Sequence, residues 1–156
     1  QPVQWAVEKG ITAGTSSTTF SPDATCTTAE ILTFLWRSQD QPEPSIKNPF
    51  TDVTPEAYYY QAALWAYETG LISGTSFHGD TPCTRSATVT YLWKLAGSPS
   101  ASYAAFTDVP DTADCAQAVA WAVSKDITSG TSANTFSPEM VCSRSQIVTF
   151  LYRAYK

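Results

Sequence analysis

Apolar positions along the chain fall into short helical stripes separated by polar, turn-forming loops, and this alternation runs through three times. In the first segment, Gln1 to Lys9, the residues Val3, Ala6, Val7 and, just beyond, Ile11 stand at offsets of three, four and eight, the stripe of an amphipathic helix. Gly10 is placed to end it. After a polar loop, Thr27-Thr28-Ala29-Glu30 opens a second helix with a capping box, and Ile31, Phe34 and Leu35 give it one apolar side. The later second helices open at Thr84-Arg85-Ser86-Ala87 and at Ser143-Arg144-Ser145-Gln146, the latter again a capping box. The middle first helix is predicted to begin at Thr54-Pro55-Glu56, a cap followed by Pro at the first helical position, and to run to Gly70. The last first helix is predicted from Asp111 or Thr112 to about Lys125.

Laid over one another, Gln4–Ser38, Leu64–Ala96 and Ala120–Ala154 are one pattern written three times. Trp5, Trp65 and Trp121 align, as do Gly14, Gly74 and Gly130, and Cys26, Cys83 and Cys142. Too many positions match in order for shared composition to be the cause. The repeats read as 1–38, 50–97 and 106–156, the first truncated because it has no counterpart to Phe50-Thr51-Asp52-Val53 or Phe106-Thr107-Asp108-Val109. Gln1 accordingly reads as an artificial or processing end. One repeat is too small to bury much core, so the expected fold is all-α: three helix-loop-helix repeats packed about a pseudo-threefold axis as one domain, 1–156. Phe20-Ser21-Pro22 and Phe136-Ser137-Pro138 should pin the long loops, and the middle loop, three residues shorter at Phe77-His78-Gly79-Asp80, should close differently.

Composition agrees with a packed assembly: 43% hydrophobic, 13% aromatic and only 15% charged. A net charge of −5 argues against nucleic acid or an anionic membrane surface as partner. No apolar run approaches the roughly 20 residues that span a bilayer, and no secretory leader precedes Gln1, so the chain is expected to be soluble and not membrane-inserted.

Catalysis finds little support. The one histidine, His78, lies in the irregular loop without a nucleophile motif, and no acidic pair recurs in an apolar setting that would raise one pKa. No phosphate loop or metal-ligand spacing is present, so neither enzyme activity nor a cofactor is expected. Cys26, Cys83 and Cys142 read as buried free thiols just before a helix start, with a three-thiolate metal site as the remote alternative if they converge; Cys115 has no repeated counterpart.

Phe-x-Asp-Val, a first helix ending in Gly-Ile-x-x-Gly, a loop with Phe-x-Pro and a second-helix start like Thr-Arg-Ala-Glu together give the chain its resemblance to the S-layer homology domain, over nearly its whole length. The resemblance implies a pseudo-trimer that anchors secreted bacterial proteins noncovalently by binding secondary cell-wall polysaccharide, often pyruvylated, with the motif's Arg in the binding groove. By position those arginines are Arg85 and Arg144, whereas the first repeat carries Thr28; the motif's Glu survives only as Glu30, with Ala87 and Gln146 elsewhere.

Arg85 and Arg144 sit in the first turn of a helix, where a cation is mildly disfavoured and something anionic should compensate. A ligand carboxylate held by the guanidinium fork and by free helix amides is one answer; an ion pair with Asp52, Asp108 or another acidic side chain is the other. Trp5, Trp65 and Trp121 lie two positions after Val3, Ala63 and Val119, hence about 200° from that stripe. They either pack on a neighbouring repeat or offer a flat ring to a sugar. Asp52 and Asp108 read as turn or cap residues, and the Thr-Ser pairs after each conserved Gly as turn formers that could also meet a glycan's hydroxyls. The expected function is extracellular anchoring on the bacterial wall through an acidic saccharide, the alternative being a protein-interaction module that has kept the scaffold and lost glycan binding.

Overall fold

A computed structural model describes residues 1–156 as six α-helices and no strand. They are α1 (Pro2–Glu8), α2 (Thr28–Ser38), α3 (Tyr60–Glu68), α4 (Arg85–Leu95), α5 (Ala116–Ser124) and α6 (Arg144–Tyr155). The three second helices begin where their caps place them. Thr27, Thr84 and Ser143 each accept the amide hydrogen three residues on, and Glu30 and Gln146 complete full capping boxes.

Two first helices start later than predicted. Thr54 and Asp111 do not open them; residues 54–59 form successive turns closed by Ala57 N–H to Thr54 O and Tyr60 N–H to Ala57 O, both at 3.0 Å. The same staircase, Ala113 onto Pro110 and Ala116 onto Ala113, precedes α5. Before α3, the Tyr59 ring stacks on Phe77 at 5.3 Å between centroids. Of the predicted α1 stripe, Ala6 and Ile11 are buried, but Val7 points outward and is 52% exposed.

The repeats close on one another in a ring. Each second helix packs on the first helix of the next repeat: α2 on α3, α4 on α5, and α6 back on α1. At the centre the Cys26 amide donates to the Cys142 carbonyl (3.0 Å), the Cys83 amide to Cys26 (2.8 Å), and the Cys142 amide to Cys83 (2.8 Å). Three backbones meeting head to tail leave room only for small side chains, and the three thiols there are free and buried. Burial pushes their pKa values up, that of Cys83 to about 12. No group of His, Cys, Asp or Glu in the chain is arranged to hold a metal ion. Around this centre Ile31, Leu32, Leu35, Val89, Leu92, Ile147, Val148 and Leu151 join one contiguous core. No helix is long and apolar enough to cross a membrane.

The loops between helices settle against the second helix of the preceding repeat in the ring. Phe136 is fully buried and Phe20 partly so. Contrary to expectation, the shortened middle loop closes as the others do from its Phe onward: His78 takes φ 52°, matching Ser21 at 56° and Ser137 at 59°. Only the Ser/Thr turn is excised. In the long loops that turn is tied by Thr15 to Ser21 (2.7 Å) and Thr131 to Ser137 (2.6 Å). Asp52 and Asp108 act on these loops, not on the helices that follow them. Asp52 accepts the amides of Phe77 and His78, and Asp108 those of Phe136 and Ser137, which holds both carboxyls below the usual carboxylate range.

Candidate functional site

Arg85 and Arg144 lie at the seams of the ring, each reaching from the start of its own helix into the next repeat. Arg85 is 7% exposed; its Nε donates to the Phe136 carbonyl at 2.8 Å and its Nη2 to Thr128 Oγ1 at 3.3 Å. The guanidinium carbon stands 4.8 Å from the Phe136 ring centroid and 5.4 Å from that of Phe150, a desolvated cation–π cradle. Burial lowers its pKa, though a guanidinium keeps its charge at any ordinary pH. Arg144 repeats this on the first repeat, with Nε on the Phe20 carbonyl at 3.0 Å and the rings of Phe20 and Phe34 at 5.0 and 5.3 Å.

The two differ in what compensates their charge. Arg144 donates to Glu30 Oε1 at 2.6 Å, the single salt bridge in the chain. Beside Arg85 the position equivalent to Glu30 is the amide Gln146, which lines the same cavity, and no carboxylate forms an ion pair with Arg85. Asp52 and Asp108, the partners considered from the sequence, are both engaged by loop amides. No buried side-chain nitrogen lacks a partner, and Arg85 Nη1 donates to no protein atom. That nitrogen therefore keeps solvent contact.

It does so in a cavity of about 310 Å³ lined by Arg85, Thr128, Gly130, Gln146, Thr149, Phe150 and Arg153, among others, with no acidic residue. Gly130, at φ 92°, is required there: a Cβ would lie 2.5 Å from the Thr135 carbonyl oxygen and 2.7 Å from the Phe106 ring. The corresponding cavity of about 380 Å³ holds Arg144, Thr12, Gly14, Glu30, Thr33, Phe34 and Arg37, and Tyr58 from the middle repeat joins it. Partial desolvation of the hydroxyl and the neighbouring Glu30 carboxylate push the Tyr58 pKa up, although the residue as a whole is exposed.

Thr28, in the arginine position of the first repeat, makes only a short contact, its hydroxyl donating to the Thr81 carbonyl at 3.2 Å. A separate cavity of about 600 Å³, between the first turns of α4 and the last repeat, is edged by Asp108, Asp114 and Glu139 and is not lined by Thr28.

The helix amides expected to assist an anion are not free. Thr28 N–H and Ala29 N–H donate to Thr81 and Gly79, Arg85 and Ser86 to Met140 and Pro138, and Arg144 and Ser145 to Ala24 and Pro22. The third amide of each helix goes to its cap. Loop carbonyls of the next repeat have taken the place a ligand would need, so side chains alone remain for recognition.

None of the three tryptophans lines either arginine cavity. Trp65 and Trp121 are 5% and 7% exposed within the core. Trp5 packs edge-on against Tyr152 of α6, 5.5 Å between centroids, which is packing on a neighbouring repeat. Sequence reasoning missed Arg37 and Arg153. Both end their helices, and each donates from Nη1 at 3.2 Å to the carbonyl of the residue after the first helix's terminal glycine or its equivalent, Ile11 and Ile127. Lys94 takes the same place, donating to Leu71 at 3.4 Å. The recurrence of a basic residue three positions after Phe34, Tyr91 and Phe150 was the available signal.

The S-layer homology domain family model matches residues 1–32, 49–88 and 105–148. No curated protein matches the chain. Three matched segments covering most of the residues, on a helical repeat with an arginine cavity at two of its seams, place the chain in the S-layer homology domain family, whose members are noncatalytic modules that anchor surface proteins by binding secondary cell-wall polymers.

Proposed function

We propose that residues 1–156 act as one pseudo-threefold domain of repeats 1–38, 50–97 and 106–156 that anchors an extracellular bacterial surface protein through an acidic wall polysaccharide carrying carboxyl groups such as pyruvyl ketals. The observation that carries this is the state of Arg85: buried in its cradle, without a carboxylate partner, and with one nitrogen turned to a cavity that also contains Arg153. A planar carboxylate on a sugar ring would accept from the Arg85 fork and meet the second positive charge of Arg153. Two cations without a counter-ion in a partly enclosed space attract an anion more strongly than the same groups in open water. Phe136 and Thr128 fix the guanidinium beforehand, which reduces the ordering that binding demands. In this reading Arg144 contributes a second, charge-compensated cavity, Thr28 contributes none, and Trp5, Trp65 and Trp121 hold the repeats together.

The seam between the start of α4, at Ser86 and Ala87, and the last repeat supports a second reading, that of a protein-interaction module. Its cavity is edged by Asp108, Asp114 and Glu139, a surface suited to a basic peptide and not to an acidic glycan.

Pull-down on purified Gram-positive walls, untreated or stripped with hydrofluoric acid, tests the first against the second. Anchoring expects sedimentation with untreated walls only, and a loss of at least about tenfold in Arg153→Ala, an exposed position whose change leaves the fold in place. Equal sedimentation of the variant and the unmodified chain sinks the arginine assignment.

A further inference from the structure

We infer that the last repeat carries a second binding site, built around Trp121 and Lys125, that takes the free carboxylate of a peptide chain ending in a short aliphatic residue. The site does not depend on the glycan reading; only Arg153 lines both its cavity and that of Arg85.

It lies where the C-terminal ends of α5 and α6 meet the connection that follows α4. A cavity of about 420 Å³ there is lined by Trp121, Lys125, Arg153 and Pro99, with small apolar neighbours and no acidic side chain. A second hollow, about 110 Å³, shares Trp121 and Ala154 with it and is walled by Leu92 and Leu95, with Gln39 the one amide in its lining.

The donors in the larger cavity have no acceptor among the side chains that line it. Only 7% of Trp121 is exposed. Trp36 and Trp93 donate to the Pro42 and Pro99 carbonyls at 2.9 Å, whereas the Trp121 indole donates to no protein atom. Since no buried side-chain nitrogen in the chain lacks a partner, the Trp121 N–H reaches solvent, and it does so where the ring lines the two hollows. Lys125, at the end of α5, is exposed and stands outside the single salt bridge of the chain. Asp126 follows it but neither lines the cavity nor pairs with it. Arg153 donates to the Ile127 carbonyl from Nη1 alone, which leaves its other nitrogens for a ligand. Two cations and an indole N–H around one space are satisfied together by a carboxylate.

The smaller hollow says what the carboxylate is attached to. A sugar's hydroxyls would find few partners against Leu92, Leu95 and Ala154, while an aliphatic side chain would be buried there. Its volume is below the roughly 150 Å³ that admits a benzene ring, so the group is small. Gln39 Nε2 donates to Ser38, and its Oε1 remains to accept the last peptide N–H. The other seams do not repeat this arrangement. Thr69 replaces Lys125 in the middle repeat and is tied to the Trp65 carbonyl at 2.8 Å, and Trp5 is covered edge-on by Tyr152.

Nuclear magnetic resonance of the isotopically labelled full chain, titrated with N-acetyl-alanyl-alanine, reads the Trp121 indole N–H directly once its peak is assigned through bonds. That peak should shift saturably while the other indole peaks stay in place. The carboxamide of the same peptide and N-acetyl-alanyl-tryptophan should leave it unmoved. Lys125→Ala, at an exposed position, should weaken binding about tenfold and Lys125→Arg should restore it. No saturable shift at millimolar peptide, an equal shift with the carboxamide, or equal binding by Lys125→Ala and the unmodified chain overturns the site.

Discussion

Asp108 accepts the amide hydrogen of Phe136 at 2.9 Å across 28 residues of chain, and the carbonyl of that same Phe136 accepts from Arg85 at 2.8 Å. A carboxylate that reads from the sequence as belonging to the next helix instead positions the peptide on which Arg85 rests. The Asp108-to-loop link lies within the last repeat; the link from the loop to Arg85 crosses the seam. A complete last repeat is thus needed to set the arginine of the middle one.

The Asp108 carboxyl also makes stability depend on pH in a stated direction. Its amide bonds, chiefly from Phe136, hold its folded pKa below the ordinary 3.8. The unfolded chain then takes up the proton first as pH falls, so the contribution is complete above the unfolded pKa and is lost as pH drops through the folded one. Thermal melts of Asp108→Asn should show a Tm about 2–4 °C lower near neutrality and a flatter acid limb below about pH 4. Asp52→Asn should behave alike, since Asp52 holds Phe77 and His78 in the same way. An unaltered acid limb would count against these carboxylates as loop clamps.

The aromatic platform under Arg85 separates packing from charge. Phe136 is fully buried and lies beneath the guanidinium. Phe136→Leu keeps most of the apolar volume but loses the ring face, and should cost about 1–2 kcal/mol in urea unfolding. Phe136→Ala adds a cavity and should cost about 3–5 kcal/mol. If the two variants unfold at the same denaturant concentration, the ring is not seated as described.

Local signals with a short-range cause were legible in the sequence. Capping at Thr27–Glu30 and Ser143–Gln146 depends on residues three apart, and it stands as read. The threefold pattern foretold repeats that bury their helices together, and the cysteines at one repeated position proved free and buried. Features that depend on the ring were not legible. The helix-start amides looked open to an anion because nothing within the repeat satisfies them; their partners, such as Met140 for Arg85, come from the next repeat. Thr54-Pro55 reads as a helix start, but turns closed by Ala57 onto Thr54 and by Tyr60 onto Ala57 occupy residues 54–59, and α3 begins at Tyr60. Arg37 and Arg153 resembled ordinary last-turn cations until the seam placed them beside Arg144 and Arg85.

Thiol reactivity should report the closed centre. Desolvation raises the pKa of all four thiols, but Cys26, Cys83 and Cys142 are buried, whereas Cys115 is half-buried at the N-terminus of α5. At pH 8 an aromatic disulfide reagent should react with one thiol per folded chain, Cys115, and with all four once guanidinium unfolds it. Cys115→Ser should abolish the native reaction. Rapid native modification of the central thiols would mean that the ring opens readily.

The sharpest test of the charge argument is Gln146→Glu, which gives the Arg85 cavity the carboxylate that the Arg144 cavity already has. Glu at this position keeps the capping box, because the oxygen that accepts from the Ser143 amide is retained. The other terminal atom changes from an amide NH₂, which can only donate, to an oxygen that can accept from Arg85 as Glu30 does from Arg144. Fold and melting temperature should hold or rise slightly, since an acidic group in the first turn of α6 also suits the helix dipole. Affinity for a carboxylated wall polysaccharide should fall about tenfold, as an internal anion competes for the guanidinium. Binding unchanged in this variant, with the fold intact, would show that the unpaired charge of Arg85 is not what selects the ligand.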